Sequence, residues 1–173
     1  MKPNPNGKFG NKHIALQWHA PLQLKDGGAR GFIYYVDPLD IPEVPGIYVF
    51  GKLRGETLQP IYIGVATKSL RKRIKQQFNN LRLMNGIKAA RGGKRVLMIA
   101  ELRGSRRPQR VLATLEVAII RYALAEGYPI VNKSGTKIRA YSLSHLGNRL
   151  SRSWMPRQME ADKLNPRAPA NAT

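Results

Sequence analysis

The sequence of 173 residues contains no cysteine and only three histidines. It therefore has no disulfide bond, no thiolate zinc site and no cysteine nucleophile, and its histidines are too few for a histidine-rich metal cage. Residues 1–12 contain no apolar segment of the kind found in a leader, so we expect none, and no run approaches the ~18 apolar residues of a membrane span. These absences exclude membrane-spanning and disulfide-stabilised classes of protein.

Acidic residues are also scarce, because 10 Asp and Glu face 30 Lys and Arg, for a net charge of +20. So much like charge is destabilising by self-repulsion, which favours a polyanionic partner. Nucleic acid is the first expectation, since neutralising its phosphates releases condensed counterions. A solvated surface of a structural protein and an acidic protein partner are the alternatives. No basic amphipathic helix predicts binding to a membrane surface.

The chain is 42% hydrophobic, which is enough for one globular core. Trp18 and Trp154 flank this core; we favour burial that anchors the flanking segments over stacking on bases. The predicted divisions are a disordered basic N-terminus at 1–12, an N-terminal extension packed on the core at 13–43, the core at 44–133, a substrate-contacting C-terminal extension at 134–162, and a disordered tail at 163–173.

The core has the pattern of an α/β fold, a small three-stranded sheet flanked by helices. Two β-rich runs surround a turn-rich segment at 51–60, which predicts a hairpin. A helix of about four turns from residue 70 to Met84, a basic loop at 85–95 and a second helix follow. The strands are predicted at 46–50, 61–65 and 96–102, and the second helix at 109–126.

Basic residues are concentrated between positions 68 and 110, where Glu101 is the one acid. A helix and two loops would then form a positive surface suited to contacts with a phosphate backbone. The residues expected to make these contacts, with two from the C-terminal segment, are Lys68, Arg71, Lys72, Lys75, Arg91, Lys94, Arg95, Arg106, Arg107, Lys137 and Arg139.

Glu116 is an unusual acid because its neighbours three and four positions away on the second helix are apolar. A buried carboxylate is costly unless it is neutralised, paired or bound to a metal. Two interpretations stay open, a structural ion pair with an arginine and a ligand for one hard divalent cation whose other positions hold waters and phosphate oxygens.

Tyr48 and Tyr62 lie in the two strands of the predicted hairpin, where they could be near each other. Tyrosines in strands are commonly half-buried aromatics with no further role. A phenol with an ordinary pKa near ~10 is a poor base at neutral pH unless nearby positive charge favours its ionised form.

These segments resemble a known family. Gly46-Ile47-Tyr48, then Tyr62-Ile63-Gly64, and then Arg73 on the following helix are similar to the motif of the GIY-YIG nucleases. The helix around Glu116 and the segment ending at Asn132 resemble the metal-ligand helix and closing asparagine of that family. The similarity covers residues 44–133, about half of the chain.

The resemblance implies a DNA endonuclease that uses Mg²⁺ or Mn²⁺. Glu116 would hold the metal, and Arg73 would stabilise negative charge on the scissile phosphate. Tyr48 would take a proton from the attacking water, and Tyr62 would orient the water or the phosphate. Asn132 would brace the site by hydrogen bonds. The expected products carry a 5′-phosphate and a 3′-hydroxyl.

Two positions depart from the family pattern, since Val65 stands where many members have Lys and Gln77 where many have His or Tyr. The second proton-handling group is therefore open, with Lys68, Arg71 and His145 as candidates. The helix periodicity alone also leaves Arg71 and Arg73 equivalent, and only the motif favours Arg73.

A small, basic, stand-alone nuclease fits a restriction or defence enzyme, or an antibacterial toxin with an acidic immunity protein as its partner. We expect it in the cytoplasm, or delivered into the cytoplasm of a target cell if it is a toxin. The alternative from another class is a non-catalytic nucleic-acid-binding protein that retains the fold. The sequence determines neither the oligomeric state nor the cleavage specificity.

Overall fold

The computed structural model describes residues 13–28, 31–132 and 142–160. It has a mixed α/β fold, as predicted, with one seven-stranded sheet, a small two-stranded sheet and several helices in these residues. The segments expected to be disordered, 1–12 and 163–173, lie outside the described residues. In the part of the chain that is described, no helix is long and apolar enough to cross a membrane.

The centre of the large sheet consists of β5 (Gly46–Arg54), β6 (Thr57–Ala66) and β7 (Lys94–Arg103). They lie in the order β6-β5-β7, and both pairs are antiparallel. The prediction of a loop at 51–60 was wrong, because both strands continue through it to a two-residue turn that begins at Gly55. Gly55 has φ +56, a conformation that glycine adopts without strain.

The prediction of a three-stranded sheet was also wrong, because strands from both extensions join it. β1 (His13–Trp18) pairs antiparallel with β7 and parallel with β8 (Ser142–Leu146), and β9 (Gln158–Glu160) follows β8. β2 (Leu22–Gln23) also pairs with β7. In β1, alternate apolar side chains lie in the same core layer, which explains the pairing; they are Ile14, Leu16 and Trp18.

A separate two-stranded sheet pairs β3 (Lys25–Asp26) with β4 (Tyr34–Tyr35) in antiparallel orientation. A 3-10 turn follows at Pro38–Asp40, where the Asp37 carboxylate accepts a hydrogen bond from the Leu39 amide. The chain then runs to the start of β5 and lies against the first helix, where the Leu70 amide donates to the Val44 carbonyl.

The helices cover both faces of the central strands. α1 (Leu70–Phe78) and α2 (Leu81–Ala89) pack on the face that carries Tyr48 and Phe50. α3 (Pro108–Ala125) packs on the opposite face, against alternate residues such as Ile47 and Val49. A short helix, α4 (Arg149–Arg152), follows β8.

The predicted single helix reaching Met84 was wrong, and so was the loop predicted at 85–95. The chain breaks at Asn79 and Asn80, and the Asn80 side chain accepts a hydrogen bond from the Leu83 amide to begin α2. α2 then continues to Ala89, and β7 begins at Lys94. The second predicted helix, 109–126, is confirmed as α3 to within one residue at each end.

Candidate active site

The hairpin of β5 and β6 brings the two motif tyrosines together. Their ring centroids are 6.1 Å apart and their planes meet at 23°, so the rings are stacked. Tyr48 is fully buried, whereas Tyr62 is half-buried. The more accessible of the two phenols is therefore Tyr62, and Tyr48 lies in the layer of side chains that α1 and α2 cover.

The motif glycines are required by the packing of these strands. Gly64 is paired with Tyr48 across the hairpin, and a Cβ atom at Gly64 would lie 2.5 Å from the Tyr48 hydroxyl oxygen. A Cβ atom at Gly46 would lie 2.2 Å from the carbonyl oxygen of Ala100 on β7. A side chain at either position would therefore displace the Tyr48 ring or the neighbouring strand.

The structure separates the two arginines that helix periodicity leaves equivalent. Arg71 is held by the chain that precedes β5, because its Nε donates to the Ile41 carbonyl at 2.8 Å and its guanidinium pairs with Glu43 at 2.9 Å. Arg73 is exposed and makes no side-chain ion pair within 4.0 Å of an acid in the described ranges. Burial raises the pKa values of Tyr48 and Glu116, and the charge of Arg73 opposes both increases.

Glu116 is half-buried at the border of the apolar face of α3. Burial raises the pKa of its carboxyl above the usual value, and the nearby Arg73 charge opposes this. No described Lys, Arg or His approaches the carboxylate within the 4.0 Å of an ion pair. The structural ion pair that the sequence left open is thus absent from the described residues.

The Tyr48 hydroxyl is a buried polar group that lacks a hydrogen bond of good geometry in the described part of the chain. Burial raises the pKa of Tyr48 above its usual value, the nearby Tyr62 adds to this, and the Arg73 charge opposes it. Tyr48 is therefore a neutral phenol at pH 7. The Tyr62 and Arg73 side chains are close to this hydroxyl, although neither makes a hydrogen bond of good geometry with it.

Asn132 lies at the outer edge of β6, beside the second motif. The Ile63 amide donates to Asn132 Oδ1 at 3.2 Å, and Asn132 Nδ2 donates to the Ile63 carbonyl at 2.5 Å. The Val131 amide also donates to the Ile61 carbonyl. Since β6 ends the sheet on this side, these bonds satisfy its outward backbone groups and hold the strand between Tyr62 and Gly64.

A divalent cation beside Arg73 would have one carboxylate, that of Glu116, as its ligand from the described residues. Within the described residues, no group of three or more His, Cys, Asp or Glu residues could bind a metal. Mg²⁺ is nevertheless commonly bound by one or two carboxylates, with waters and substrate phosphates as its other ligands. The unpaired Glu116 carboxylate and the unsatisfied Tyr48 hydroxyl are both near Arg73, as such a site requires.

Some of the basic residues expected to contact phosphates are used within the protein. Besides Arg71, Arg95 is used in this way. Its guanidinium donates hydrogen bonds to the carbonyls of Lys88, Ala90 and Gly93 and so satisfies backbone acceptors at the end of α2. The residues that remain exposed are Lys68, Lys72, Lys75, Arg91, Lys94, Arg106 and Arg107. Lys137 and Arg139 lie outside the described residues.

The candidates for a second proton-handling group are dispersed. His145 is buried among aromatic rings, where Trp18 Nε1 donates to its Nδ1 at 3.0 Å and burial lowers its pKa to about 4. It is therefore a neutral core residue, while Lys68 is exposed beside α1. Gln77, which stands where many family members have His or Tyr, is buried within α1.

Trp18 and Trp154 are both buried, which confirms that they anchor the flanking segments.

One polar cluster was missed from the sequence. Glu101 on β7 accepts from His19 at 2.9 Å and pairs with Arg103 at 2.7 Å. Glu101 lies opposite Gln17 of β1, so only the pairing of these distant strands brings His19 to it. The one signal in the sequence was that Glu101 is the single acid in a basic region.

Comparison of the chain with models of protein families, with curated proteins and with solved structures found no match.

Proposed function

We propose that this protein is an endonuclease of the GIY-YIG type that hydrolyses phosphodiester bonds of DNA and depends on Mg²⁺ or Mn²⁺. The observation that carries the proposal is that the Tyr48 and Tyr62 rings are stacked with centroids 6.1 Å apart. The exposed Arg73 on α1 is close enough for its charge to act on Tyr48 of β5 and on Glu116 of α3. Arg73 was selected from the motif, whereas Glu116 was also selected from its apolar neighbours on the helix. The central strands β6, β5 and β7 would be the nuclease core within the larger sheet.

In this proposal each residue has one task. Glu116 would hold the divalent cation, which acts as a Lewis acid on the scissile phosphate when bound. The Arg73 guanidinium, which is free of acidic partners in the described residues, would stabilise the additional negative charge of the transition state. Tyr62, as the more accessible phenol, would orient the attacking water or a phosphate oxygen.

Tyr48 would take the proton of the attacking water, as the resemblance implies. Its pKa is raised by burial in the chain without bound cation, so the neutral phenol predominates at pH 7. Added positive charge beside it favours the phenolate, and Arg73 already acts in this direction. Asn132 would keep β6 in place, and with it the position of Tyr62.

The test is cleavage of supercoiled plasmid in Mg²⁺ and in EDTA by the wild type, Glu116→Gln and Arg73→Ala. We expect Mg²⁺-dependent nicking or cutting, loss of activity in Glu116→Gln and a decrease of at least about tenfold in Arg73→Ala. Glu126→Gln and Arg82→Ala are matched controls, since Arg82 is exposed on α2, Glu126 is exposed at the C-cap of α3, and both variants should cleave normally.

Cleavage by Glu116→Gln at the rate of the wild type would contradict the proposed site. Binding of the plasmid without cleavage by any variant would favour the non-catalytic nucleic-acid-binding protein. The products distinguish the two settings that the sequence suggests, because a restriction-type enzyme gives discrete fragments whereas a toxin-type nuclease gives a smear.

A further inference from the structure

A cleft lies between the end of β6 and the exposed side of α1. Its volume is about 470 Å³, which is in the range of pockets that hold small ligands. None of the described residues that line it is acidic, and three are cationic; the lining residues are Val65, Ala66, Thr67, Lys68, Ser69, Lys72, Arg73 and Gln76.

The cations of this cleft are available to a ligand. Lys68 and Lys72 are exposed, and neither pairs with an acid within 4.0 Å in the described ranges. Arg71, between them in sequence, is instead bound to Ile41 and Glu43. The position of Lys72 is held because its amide donates to Ser69 Oγ at 3.2 Å, a bond that leaves the serine hydroxyl hydrogen available to an acceptor.

The cleft is continuous with the candidate active site through Arg73. This residue lines the cleft and also acts electrostatically on Tyr48 and Glu116. A ligand in the cleft would therefore be adjacent to a phosphate bound at Arg73. Cationic side chains and hydroxyls of this kind bind phosphate oxygens and carry no information about base sequence.

We infer that this cleft binds the backbone phosphate next to the scissile phosphate on the same DNA strand. The inference rests on the proposed function and adds to it a second phosphate site, formed beside Arg73 by Lys68, Lys72 and Ser69. The substrate would then be a polynucleotide strand with a flanking phosphate. Contacts at the cleft would strengthen binding without selecting a sequence.

The test is the affinity of the double variant Lys68→Ala/Lys72→Ala for a short fluorescein-labelled oligothymidylate, measured by fluorescence anisotropy in EDTA. We expect a Kd about tenfold higher than that of the wild type, as for the loss of hydrogen bonds to a charged group. The slope of log Kd against log salt concentration should become shallower by about 0.7 for each phosphate that the variant no longer neutralises. Both lysines are exposed, so the variant should fold, which circular dichroism verifies.

Arg82→Ala/Lys88→Ala is the matched control, because it also removes two positive charges, and both residues are exposed on α2 and do not line the cleft. An equal Kd and salt slope for the two double variants would overturn the inference. In Mg²⁺, Lys68→Ala/Lys72→Ala should also show a raised KM for DNA. Binding that depends on the two lysines, without cleavage in Mg²⁺ by the wild type, would support the cleft as a phosphate site and contradict the nuclease.

Discussion

Glu116 has a carboxylate where an uncharged side chain would be more stable. It is half-buried, burial raises the pKa of its carboxyl, and no described cation is within ion-pair distance. Perturbed carboxyl groups of this kind cluster at functional sites, although structural networks also produce them. In this protein the unpaired carboxylate disfavours the alternative of a structural ion pair between Glu116 and an arginine. Because such a pair would stabilise the fold, the stability of a Glu116 variant tests the site independently of cleavage.

Glu116→Gln should raise the midpoint of thermal unfolding at pH 7. Because the pKa of Glu116 in the folded state is above its usual value of 4.5, the folded state binds this proton more tightly than the unfolded state. The residue therefore contributes stability below pH 4.5, and that contribution is lost as the pH rises through the raised pKa. The gain of the variant should be present at pH 7 and vanish near pH 4, as measured by circular dichroism.

Glu126→Gln should change the midpoint little at either pH, since Glu126 is exposed at the end of the same helix. A Glu116→Gln variant less stable than the wild type at pH 7 would show that the carboxylate makes a stabilising ion pair, and the cation site would lose its main support.

Helix periodicity could not decide whether Arg71 or Arg73 is available to a phosphate. Both arginines flank the apolar stripe of α1, so periodicity treats them alike. They differ because residues 41–43 fold back onto the start of α1 and occupy Arg71 with a carbonyl and a carboxylate. These contacts are separated by about thirty positions in sequence, which no local pattern encodes.

At the scale of elements, an N-cap inside the first helical region divides it into α1 and α2, although its apolar periodicity predicts one helix. The stripe of Leu70, Ile74, Phe78 and Leu81 predicts one continuous helix, yet Leu81 is exposed. Asparagine side chains bond well to amides at helix starts, and Asn80 does so at α2. The hairpin of β5 and β6 was predictable, because its local sequence and its position in the sheet favour the same structure. Two β-rich runs separated by a glycine-containing turn favour a hairpin, and the sheet pairs the same two strands.

Gly64→Ala tests whether the motif glycine exists to hold the Tyr48 ring. The new methyl group would lie 2.5 Å from the Tyr48 hydroxyl oxygen, so the ring or β6 must move. We expect destabilisation of about 1–3 kcal/mol, as for overpacked cores, measured by urea unfolding. Cleavage should be lost together with the tyrosine position.

Gly86→Ala is the control for this substitution. Gly86 lies within α2, and a Cβ atom there would meet its nearest neighbour, Val131, at an ordinary 3.7 Å. Alanine should stabilise this helix by up to about 1 kcal/mol. If Gly64→Ala were as stable and as active as Gly86→Ala, the close packing of Tyr48 on β6 would be refuted.

At the scale of the whole molecule, the sheet combines strands that the sequence presents far apart. The core strands β5, β6 and β7 follow from local β-forming runs, whereas β1, with its alternating Ile14, Leu16 and Trp18, was not predicted as a strand. The assembly of all these strands into one sheet could not be predicted, because β1 pairs with β7 and β8, which lie more than eighty positions away in the sequence. Pairing between such distant strands depends on the whole core, and pattern analysis describes only segments.

The residues of the proposed site were named from the sequence, and their roles stay a prediction. The motif named Tyr48, Tyr62, Arg73 and Glu116 in order, and the structure relates them through ring stacking and the charge of Arg73. The cleft beside Arg73 could not be anticipated, since it depends on how the end of β6 meets α1. Net charge indicated a polyanionic partner, and the internal bonds of Arg71 and Arg95 reduce the set of side chains available to it.

The central claim is that Glu116 holds one divalent cation beside Arg73, and line broadening by Mn²⁺ in NMR spectra tests it most directly. Small amounts of Mn²⁺ should broaden the amide signals around Glu116 and the Nε–H signal of Arg73, because a paramagnetic ion acts on nearby nuclei. This pattern should persist in Glu126→Gln and disappear in Glu116→Gln. The same broadening around position 116 in Glu116→Gln, or none there in the wild type, would contradict the account.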